Sequence, residues 1–284
     1  MTDIRQPAVA GQFYASDRDG LRRQIEEAIT HEVGPGSLPA VGSGSRDLVG
    51  IVSPHAGYPY SGPVAAHGAA AAAENGVPET VIALGPNHSG LGAGVAFSGA
   101  DQWATPLGTL DVDAALTDAI LSAGDVGEID HVAHRDEHSL EVQFPMLQYA
   151  LEADFEIVPI CVGQQDEGTS ERLGTAIADA VADLDRDVLL LASTDLTHHE
   201  AQDVAERKDR TVIDRMTAFD AAGVVEAATV EGISMCGYGP VAATIVASRD
   251  LGGLDATLFE YATSGDTAGP QREVVGYGSV GFFR

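Results

Sequence analysis

Each of three apolar runs in this sequence ends in a turn that carries histidine: residues 48–52 lead to His55, residues 80–84 to His88, and residues 188–192 to His198 and His199. Apolar runs of this length, stopped by turn residues, are typical of buried strands. In open α/β sheets, ligands bind beyond the carboxyl ends of the strands. We therefore expect three strands to deliver imidazole groups to one edge of a sheet, where they can ligate a metal or transfer protons.

Further side chains of suitable chemistry lie in similar loops. Asp195 precedes His198, and Cys236 stands just before a predicted helix at residues 241–251. A helix N-terminus lowers the pKa of a thiol, which suits a metal-bound thiolate or a nucleophile. Since dense motifs such as H-E-x-x-H and C-x-x-C are missing from the sequence, spacing alone leaves three interpretations open. They are a metal site, a Cys–His enzyme, and a set of hydrogen-bonded turn residues.

A charged run at residues 131–141 contains another candidate pair. If a helix begins near Glu137, His138 and Glu141 lie three residues apart and share a face. We expect this pair to point inward, towards the pocket. His131 and His134 are expected at a solvated helix start.

Strands and helices alternate along the chain, and this pattern decides the fold class. Helices are predicted at residues 19–31, 63–74, 113–123, 169–184, 200–228 (broken near 222–223) and 241–251, and further strands at residues 155–162, 256–262 and 274–283. The alternation predicts an α/β fold with a mostly parallel central sheet flanked by helices. We expect one domain over residues 1–284, because the glycine-rich loop at residues 34–46 has too little chain before it to fold alone.

The composition narrows the class of partner. The formal net charge is −28, with 43 acidic residues, 15 basic residues and a single lysine, Lys208. Such a surface repels nucleic acid and anionic membranes, so we expect neither as a partner. An acid-rich, lysine-poor surface is typical of halophilic proteins, whose charges are screened by cations in a high-salt cytoplasm.

The cysteine count and the lack of long apolar segments indicate the cellular location. Two cysteines, Cys161 and Cys236, exclude a disulfide-rich scaffold. Neither a segment like a signal peptide nor an apolar run of membrane-spanning length stands out. We therefore expect a cytoplasmic protein.

Five motifs together resemble one known family. They are S-P-H-A-G-Y-P-Y-S-G (53–62), A-L-G-P-N-H (83–88), D-E-H-S-L-E-V-Q-F-P (136–145), S-T-D-L-T-H (193–198) and M-C-G-Y-G-P (235–240). In order and spacing this set is similar to the Memo family, whose prokaryotic members are called AmmeMemoRadiSam system protein B. The likeness runs from residue 7 to the last predicted strand.

The resemblance implies a fold, a ligand set and a pocket. The fold would be like that of the class III extradiol ring-cleaving dioxygenases, which hold a non-haem iron at one end of the sheet. The implied metal ligands are His55, His88 and Cys236, and the implied acid/base pair is His198 with Asp195. The residues implied in the pocket wall or behind the ligands are His138, Glu141, Tyr58 and Asn87.

The implied ligand set also bears on the metal and the reaction. Two imidazoles and one thiolate leave a coordination position open for oxygen or a small-molecule substrate. The dioxygenases use a carboxylate as third ligand, whereas a thiolate favours softer ions such as Cu(I) or Zn(II). We expect iron or copper, with zinc as the alternative, and redox or oxygen-linked chemistry of a metal-dependent oxidoreductase.

Two other functions remain open from the sequence. The first is a metal-free hydrolase or transferase with Cys236 as nucleophile, and the second is a non-catalytic interaction module on the dioxygenase scaffold. The family name implies partners in a modification pathway, namely a radical-SAM enzyme and an AMMECR-type protein. The sequence makes no prediction of oligomeric state.

Overall fold

A computed structural model describes residues 2–284 as an α/β fold built around one large mixed sheet. The helices are α1 (Arg18–Thr30), α2 (Tyr58–Glu74), α3 (Ala114–Ala123), α4 (His131–Arg135), α5 (Gln143–Leu151), α6 (Glu167–Leu184), α7 (Gln202–Thr217), α8 (Ala221–Thr229), α9 (Tyr238–Asp250) and α10 (Ser264–Thr267). The strands are β1 (Ile4–Arg5), β2 (Leu48–Ser53), β3 (Thr80–Pro86), β4 (Val95–Phe97), β5 (Gln102–Thr105), β6 (Gly108–Asp111), β7 (Glu128–Ile129), β8 (Glu156–Val162), β9 (Val188–Ser193), β10 (His198–Glu200), β11 (Asp255–Thr263) and β12 (Val274–Phe283).

The large sheet has the strand order β10-β12-β2-β9-β3-β8-β4-β7, with β11 paired to β12. Its four central strands, β2, β9, β3 and β8, are all parallel. The flanking strands β12 and β4 are antiparallel to their central neighbours. The predicted α/β fold with a parallel central sheet is therefore confirmed, with antiparallel additions at both sides. A separate small sheet has the order β1-β5-β6.

The central strands are buried on both faces, which explains their unbroken apolar sequences. In β3, Val81 and Ala83 pack on one face with α1, α2 and α5, whereas Ile82 and Leu84 pack on the other with α3, α6 and α9. Alternate residues of a strand point to opposite faces. Two helical layers therefore cover the faces of the sheet. A ligand site is expected in the loops at its carboxyl edge.

The helix expected to begin near Glu137 does not form. Helix α4 ends at Arg135, residues 139–142 form a turn, and α5 begins at Gln143. The carboxylate of Glu137 accepts the N–H groups of His138 and Ser139. The first N–H groups of a helix have no partner within it, so these two bonds resemble a cap. A single helical-type bond follows, from the Val142 N–H to the His138 carbonyl, so His138 and Glu141 lie in one turn and not on a regular helix.

The break in the helical region after residue 200 also lies elsewhere than predicted. Helix α7 ends at Thr217 and α8 begins at Ala221, so Gly223 lies inside α8. Phe219 has a φ of 55° in the connection, and the Asp220 side chain caps α8 by accepting the Gly223 N–H. The cap, and not the glycine, sets the boundary.

Candidate metal centre

His55, His88 and Cys236 meet at the carboxyl edge of the central sheet and make up the candidate metal centre. One ligand atom from each lies within 4.8 Å of the other two, and the Cys236 Sγ is 3.3 Å from the His55 Nε2. His55 is buried, Cys236 is partly buried, and His88 is the most exposed of the three. The structure thus brings together the three residues that the family resemblance implied as ligands.

Adjacent parallel strands explain how the two histidines converge. Strand β9 pairs with both β2 and β3, and His55 and His88 each follow the end of their strand by two residues. Parallel strands end at one edge of a sheet, so the turns that follow them are neighbours. The turns that carry His55 and His88 therefore lie side by side, as predicted.

Cys236 reaches the centre because its turn lies directly on the end of β9. The Gly237 N–H donates to the Thr194 Oγ1 at 2.9 Å, and the Cys236 N–H donates to the Asp195 carbonyl at 3.3 Å. A Cβ at Gly237 would stand 2.5 Å from the Ser193 carbonyl oxygen. Only glycine allows this close approach, which places the thiol beside His55.

The Nδ1 of His55 is fixed by a buried polar cluster. Ser193 Oγ lies 2.8 Å from this nitrogen, donates its own hydrogen to the Ser139 carbonyl and accepts from the Gln143 amide. Because the single hydroxyl hydrogen is already used, the Nδ1 of His55 must be the donor to Ser193. Its Nε2 then presents a lone pair towards Cys236.

His88 has a matching arrangement with Glu137. Its Nδ1 lies 2.9 Å from the Glu137 Oε1, and the same carboxylate accepts backbone N–H groups from His88, His138 and Ser139. Burial raises the pKa of Glu137, but the hydrogen bond and charge of His88 and the backbone donors outweigh it and hold that pKa at about 2. The carboxylate therefore accepts from Nδ1, which leaves the Nε2 of His88 free for a metal.

Three residues that hold the two histidines in place were not predicted from the sequence: Glu137, Ser193 and Gln143. Each is buried and polar, and buried polar groups need partners. Glu137 stands beside His138 in D-E-H-S, and Ser193 opens S-T-D-L-T-H. Their proximity to candidate ligands was the one signal available, because their contacts join distant parts of the chain.

The thiol of Cys236 differs from the expectation for a helix N-terminus. Burial and the charge of Asp195 raise its pKa to about 12, although the Asp195 N–H donates to the sulfur at 3.2 Å and opposes the rise. A thiol in this setting stays protonated at neutral pH unless a cation replaces its proton. The predicted lowering of the pKa by the helix is wrong for this environment.

His138 lies against both His55 and His88. Its ring is stacked on His88 with centroids 4.6 Å apart, and it stands 5.5 Å from His55 and 4.7 Å from Phe13. Burial lowers the pKa of His138, so the ring is neutral at pH 7. A neutral imidazole here can accept a proton from a group bound beside the ligands.

Asp195 contacts His55 and Cys236, and His198 follows it in the same stretch of chain. The Asp195 Oδ1 accepts the His55 N–H at 2.8 Å, and burial raises the pKa of Asp195 to about 6. The Nδ1 of His198 faces the carbonyls of Leu196 and Ser234 at 2.7 and 2.8 Å. Both partners are acceptors, so Nδ1 carries the hydrogen and Nε2 is free. His199 is exposed.

The three other residues implied in the pocket have their polar atoms bound elsewhere. The Glu141 carboxylate contacts Arg5 and accepts from the Tyr14 hydroxyl and the N–H groups of Ala8 and Val9. Tyr58 donates to the Val142 carbonyl, and Asn87 caps its own loop through Leu91, Ser89 and Gly90. Glu141 thereby ties the N-terminal segment, including Phe13, across the side of the centre.

The donor set fits a transition-metal ion. Two imidazole Nε2 atoms carry lone pairs, the sulfur stands within reach of both, and each Nδ1 is oriented by a hydrogen-bond partner. Nitrogen and sulfur donors suit copper, zinc and iron. The orienting partners are those usual around metal-bound histidine.

Comparison with known proteins gives consistent matches over nearly the whole chain. The sequence profile of a family described as "Memo-like protein" matches residues 5–281. A MEMO1 family protein of Methanopyrus kandleri is 49% identical over 280 residues, covering 99% of both chains. Similar proteins of Methanothermobacter thermautotrophicus and Pyrobaculum aerophilum are 48% and 45% identical, covering 96% and 99% of this chain and 98% and 99% of theirs.

Within residues 2–284, no helix has both the length and the apolar character needed to cross a membrane.

Proposed function

Because the chain belongs to the Memo family, we propose that it is a metal-dependent protein whose ligands are His55, His88 and Cys236. Iron or copper is the proposed ion, with zinc as the alternative. The observation that carries the proposal is the convergence of two oriented imidazoles and one sulfur within 4.8 Å. A bound ion would supply redox chemistry, or Lewis-acid polarisation in the case of zinc.

The protein's own residues would move protons around that ion. His138 stacks on one ligand and is neutral because burial lowers its pKa, so it can take a proton from a bound substrate. His198 has its Nε2 free and its Nδ1 anchored to two carbonyls, so it is a second candidate to accept or donate a proton. Asp195 positions His55 through the backbone. Oxygen and a small organic molecule are the proposed substrates.

A second candidate function uses Cys236 as a nucleophile without metal. The Nε2 of His55 lies 3.3 Å from the Cys236 sulfur, as a general base would. The burial that raises the pKa of Cys236 to about 12 works against it. Stoichiometric alkylation of Cys236 that added metal does not block would favour this function over the metal centre.

The cellular setting is also part of the proposal. The family name suggests a modification pathway with a radical-SAM enzyme and an AMMECR-type protein, and we infer a cytoplasmic site of action. The net charge of −28 with one lysine supports a high-salt cytoplasm.

Oxygen uptake tests the redox part of the proposal. Full-length protein loaded anaerobically with Fe(II) or Cu(I) should consume oxygen when a reductant is supplied. Cys236→Ser should abolish uptake, and His138→Gln should retain the metal but slow uptake by roughly 10²–10⁴-fold, the usual contribution of a proton-transfer group. Uptake by wild type no faster than by free metal in the same buffer would contradict redox chemistry and favour zinc.

A further inference from the structure

Arg5 is a buried guanidinium behind the candidate metal centre, and the proposed function gives it no role. Its side chain is 7% exposed. Its Nε and Nη2 donate to the His134 carbonyl at 3.2 and 3.1 Å, and Nη2 also donates to the Glu137 carbonyl at 2.6 Å. Its Nη1 donates to the Glu141 carboxylate. One side chain from the start of the chain therefore binds both ends of the stretch at residues 134–141.

The guanidinium of Arg5 is itself fixed from two further directions. Its central carbon lies 4.3 Å from the centroid of the Trp103 ring, in cation–π contact. The Glu141 carboxylate also accepts from the Tyr14 hydroxyl and from the Ala8 N–H, at 2.5 and 2.7 Å. A buried ion pair is favourable only where further hydrogen bonds satisfy its members, as they do here. Arg5 is thus a fixed point to which the stretch at residues 134–141 is attached.

That stretch carries two side chains that contact His88. The Glu137 carboxylate accepts from the Nδ1 of His88 at 2.9 Å, while the Glu137 carbonyl accepts from Arg5. The ring of His138, the next residue, stacks on the His88 ring with centroids 4.6 Å apart. A shift of the Glu137 backbone would therefore move both the hydrogen-bond partner of His88 and the ring packed against it.

We propose that Arg5 is a positioning residue for the metal centre, acting on His88 through the backbone of Glu137. Groups behind a metal ligand set its orientation, and their loss lowers metal affinity. The planar fork of arginine suits this role because it can bind two carbonyls and a carboxylate at once, whereas the ammonium of lysine is a compact point charge. The inference rests on the proposed function, because the ion bound at His88 is its readout.

Zn²⁺ affinity of the whole chain tests the proposal. Wild type and variants in high salt would compete with a chromophoric chelator for Zn²⁺. Arg5→Lys keeps the positive charge beside Glu141 but loses the fork, so we expect the dissociation constant for Zn²⁺ to rise by about 10-fold.

Arg46→Lys is the matched control. Arg46 is as buried as Arg5, and its fork binds the Asp187 carboxylate and the Gly76 carbonyl. Asp187 directly precedes β9, so this cluster lies at the end of the strand away from the metal centre. Arg46→Lys should therefore bind Zn²⁺ as tightly as wild type, even where it lowers stability as much as Arg5→Lys does.

Double-mutant cycles separate positioning of His88 from a general loosening of the fold. If Arg5 acts through Glu137, Arg5→Lys should weaken Zn²⁺ binding much less in a Glu137→Gln background than in wild type, because both changes disturb one chain of contacts. In a Ser193→Ala background, which alters the support of His55, the full effect should persist. Equal effects of Arg5→Lys in the two backgrounds, or no effect in wild type, would overturn the proposal.

Failure of the metal centre itself would give a different result. Equal Zn²⁺ affinity in wild type and Cys236→Ser would overturn the centre, whereas the results above would overturn only the role of Arg5. If Arg5→Lys does not fold, Tyr14→Phe replaces it, because this change removes only the hydroxyl donor to Glu141. It should weaken Zn²⁺ binding by a smaller factor, and an affinity equal to that of wild type would overturn the role of Arg5.

Discussion

At the scale of single residues, the two candidate ligands His55 and His88 are held by different partners, and in each the Nδ1 is fixed while the Nε2 is left free. Ser193 fixes the Nδ1 of His55, and Glu137 fixes that of His88. Partners of this kind set the tautomer and the ring orientation. Types and spacing in the sequence predicted the histidines but not their partners, because Glu137 and Ser193 lie 49 and 138 residues from the rings they bind.

Ser193→Ala tests the support of His55. Without the hydroxyl, the Nδ1 of His55 loses its acceptor and the ring its fixed orientation, so metal affinity should fall by about 10–100-fold. Chelator competition would measure the dissociation constant. Ser122→Ala, at an exposed site on α3, is the control. Equal affinities in all three proteins would show that Ser193 does not support the ligand.

His134 gives a pH-dependent prediction away from the centre. Burial lowers the pKa of His134 to about 4, although its bond to the Ala96 carbonyl opposes this. The folded protein then binds fewer protons than the unfolded chain, whose histidine titrates near 6.5, so stability is lost as pH falls below 6.5. Between pH 7 and pH 5 the loss from this group should be about 2 kcal/mol.

Denaturant unfolding of His134→Gln would measure that loss. The variant keeps an amide donor for the Ala96 carbonyl but has no titrating ring, so its stability should fall less than that of wild type over this pH range. His131→Gln, at an exposed position, is the control and should behave as wild type. Parallel pH curves for wild type and His134→Gln would refute the assignment.

At the scale of elements, the sequence was most informative where strand ends meet. Strands β2, β3 and β9 and the turns after them were predicted correctly. Burial on both faces gives such strands a continuous apolar sequence. A helix starting near Glu137 was wrongly expected, because only one turn forms there before α5 begins at Gln143. The spacing of residues in the sequence does not distinguish a single turn from a full helix.

Gly237→Ala tests how the turn before α9 places Cys236. The added Cβ would meet the Ser193 carbonyl at 2.5 Å and the Thr194 Cβ at 2.8 Å, so the turn must move away from β9. We expect bound metal to drop well below wild type and stability to fall by about 1–3 kcal/mol. Gly44→Ala, where a Cβ meets nothing within 4 Å, should change neither metal content nor melting temperature.

At the scale of the whole molecule, charge sets the conditions under which the fold is stable. With a net charge of −28, self-repulsion opposes compaction in dilute buffer, and molar salt shortens the screening length to about 3 Å. The melting temperature should therefore rise steadily from dilute buffer to molar KCl. Calorimetry would measure it, and a melting temperature independent of salt would contradict the halophilic interpretation.

A charge-reduced variant is the control for this salt effect. Neutralising exposed carboxylates to the matching amides should reduce the dependence on KCl without touching the centre. Suitable exposed positions are Glu171, Asp179, Asp183 and Asp214.

The most direct test of the central claim is metal analysis of the chain as purified. Protein prepared in high salt without oxygen or chelators would be compared with His55→Ala and Cys236→Ser, and with His131→Ala as the matched control. We predict near-stoichiometric iron, copper or zinc in wild type and in the control, and a large loss in both ligand variants. Equal metal content in all four proteins, or none after reconstitution, would contradict a centre formed by His55, His88 and Cys236.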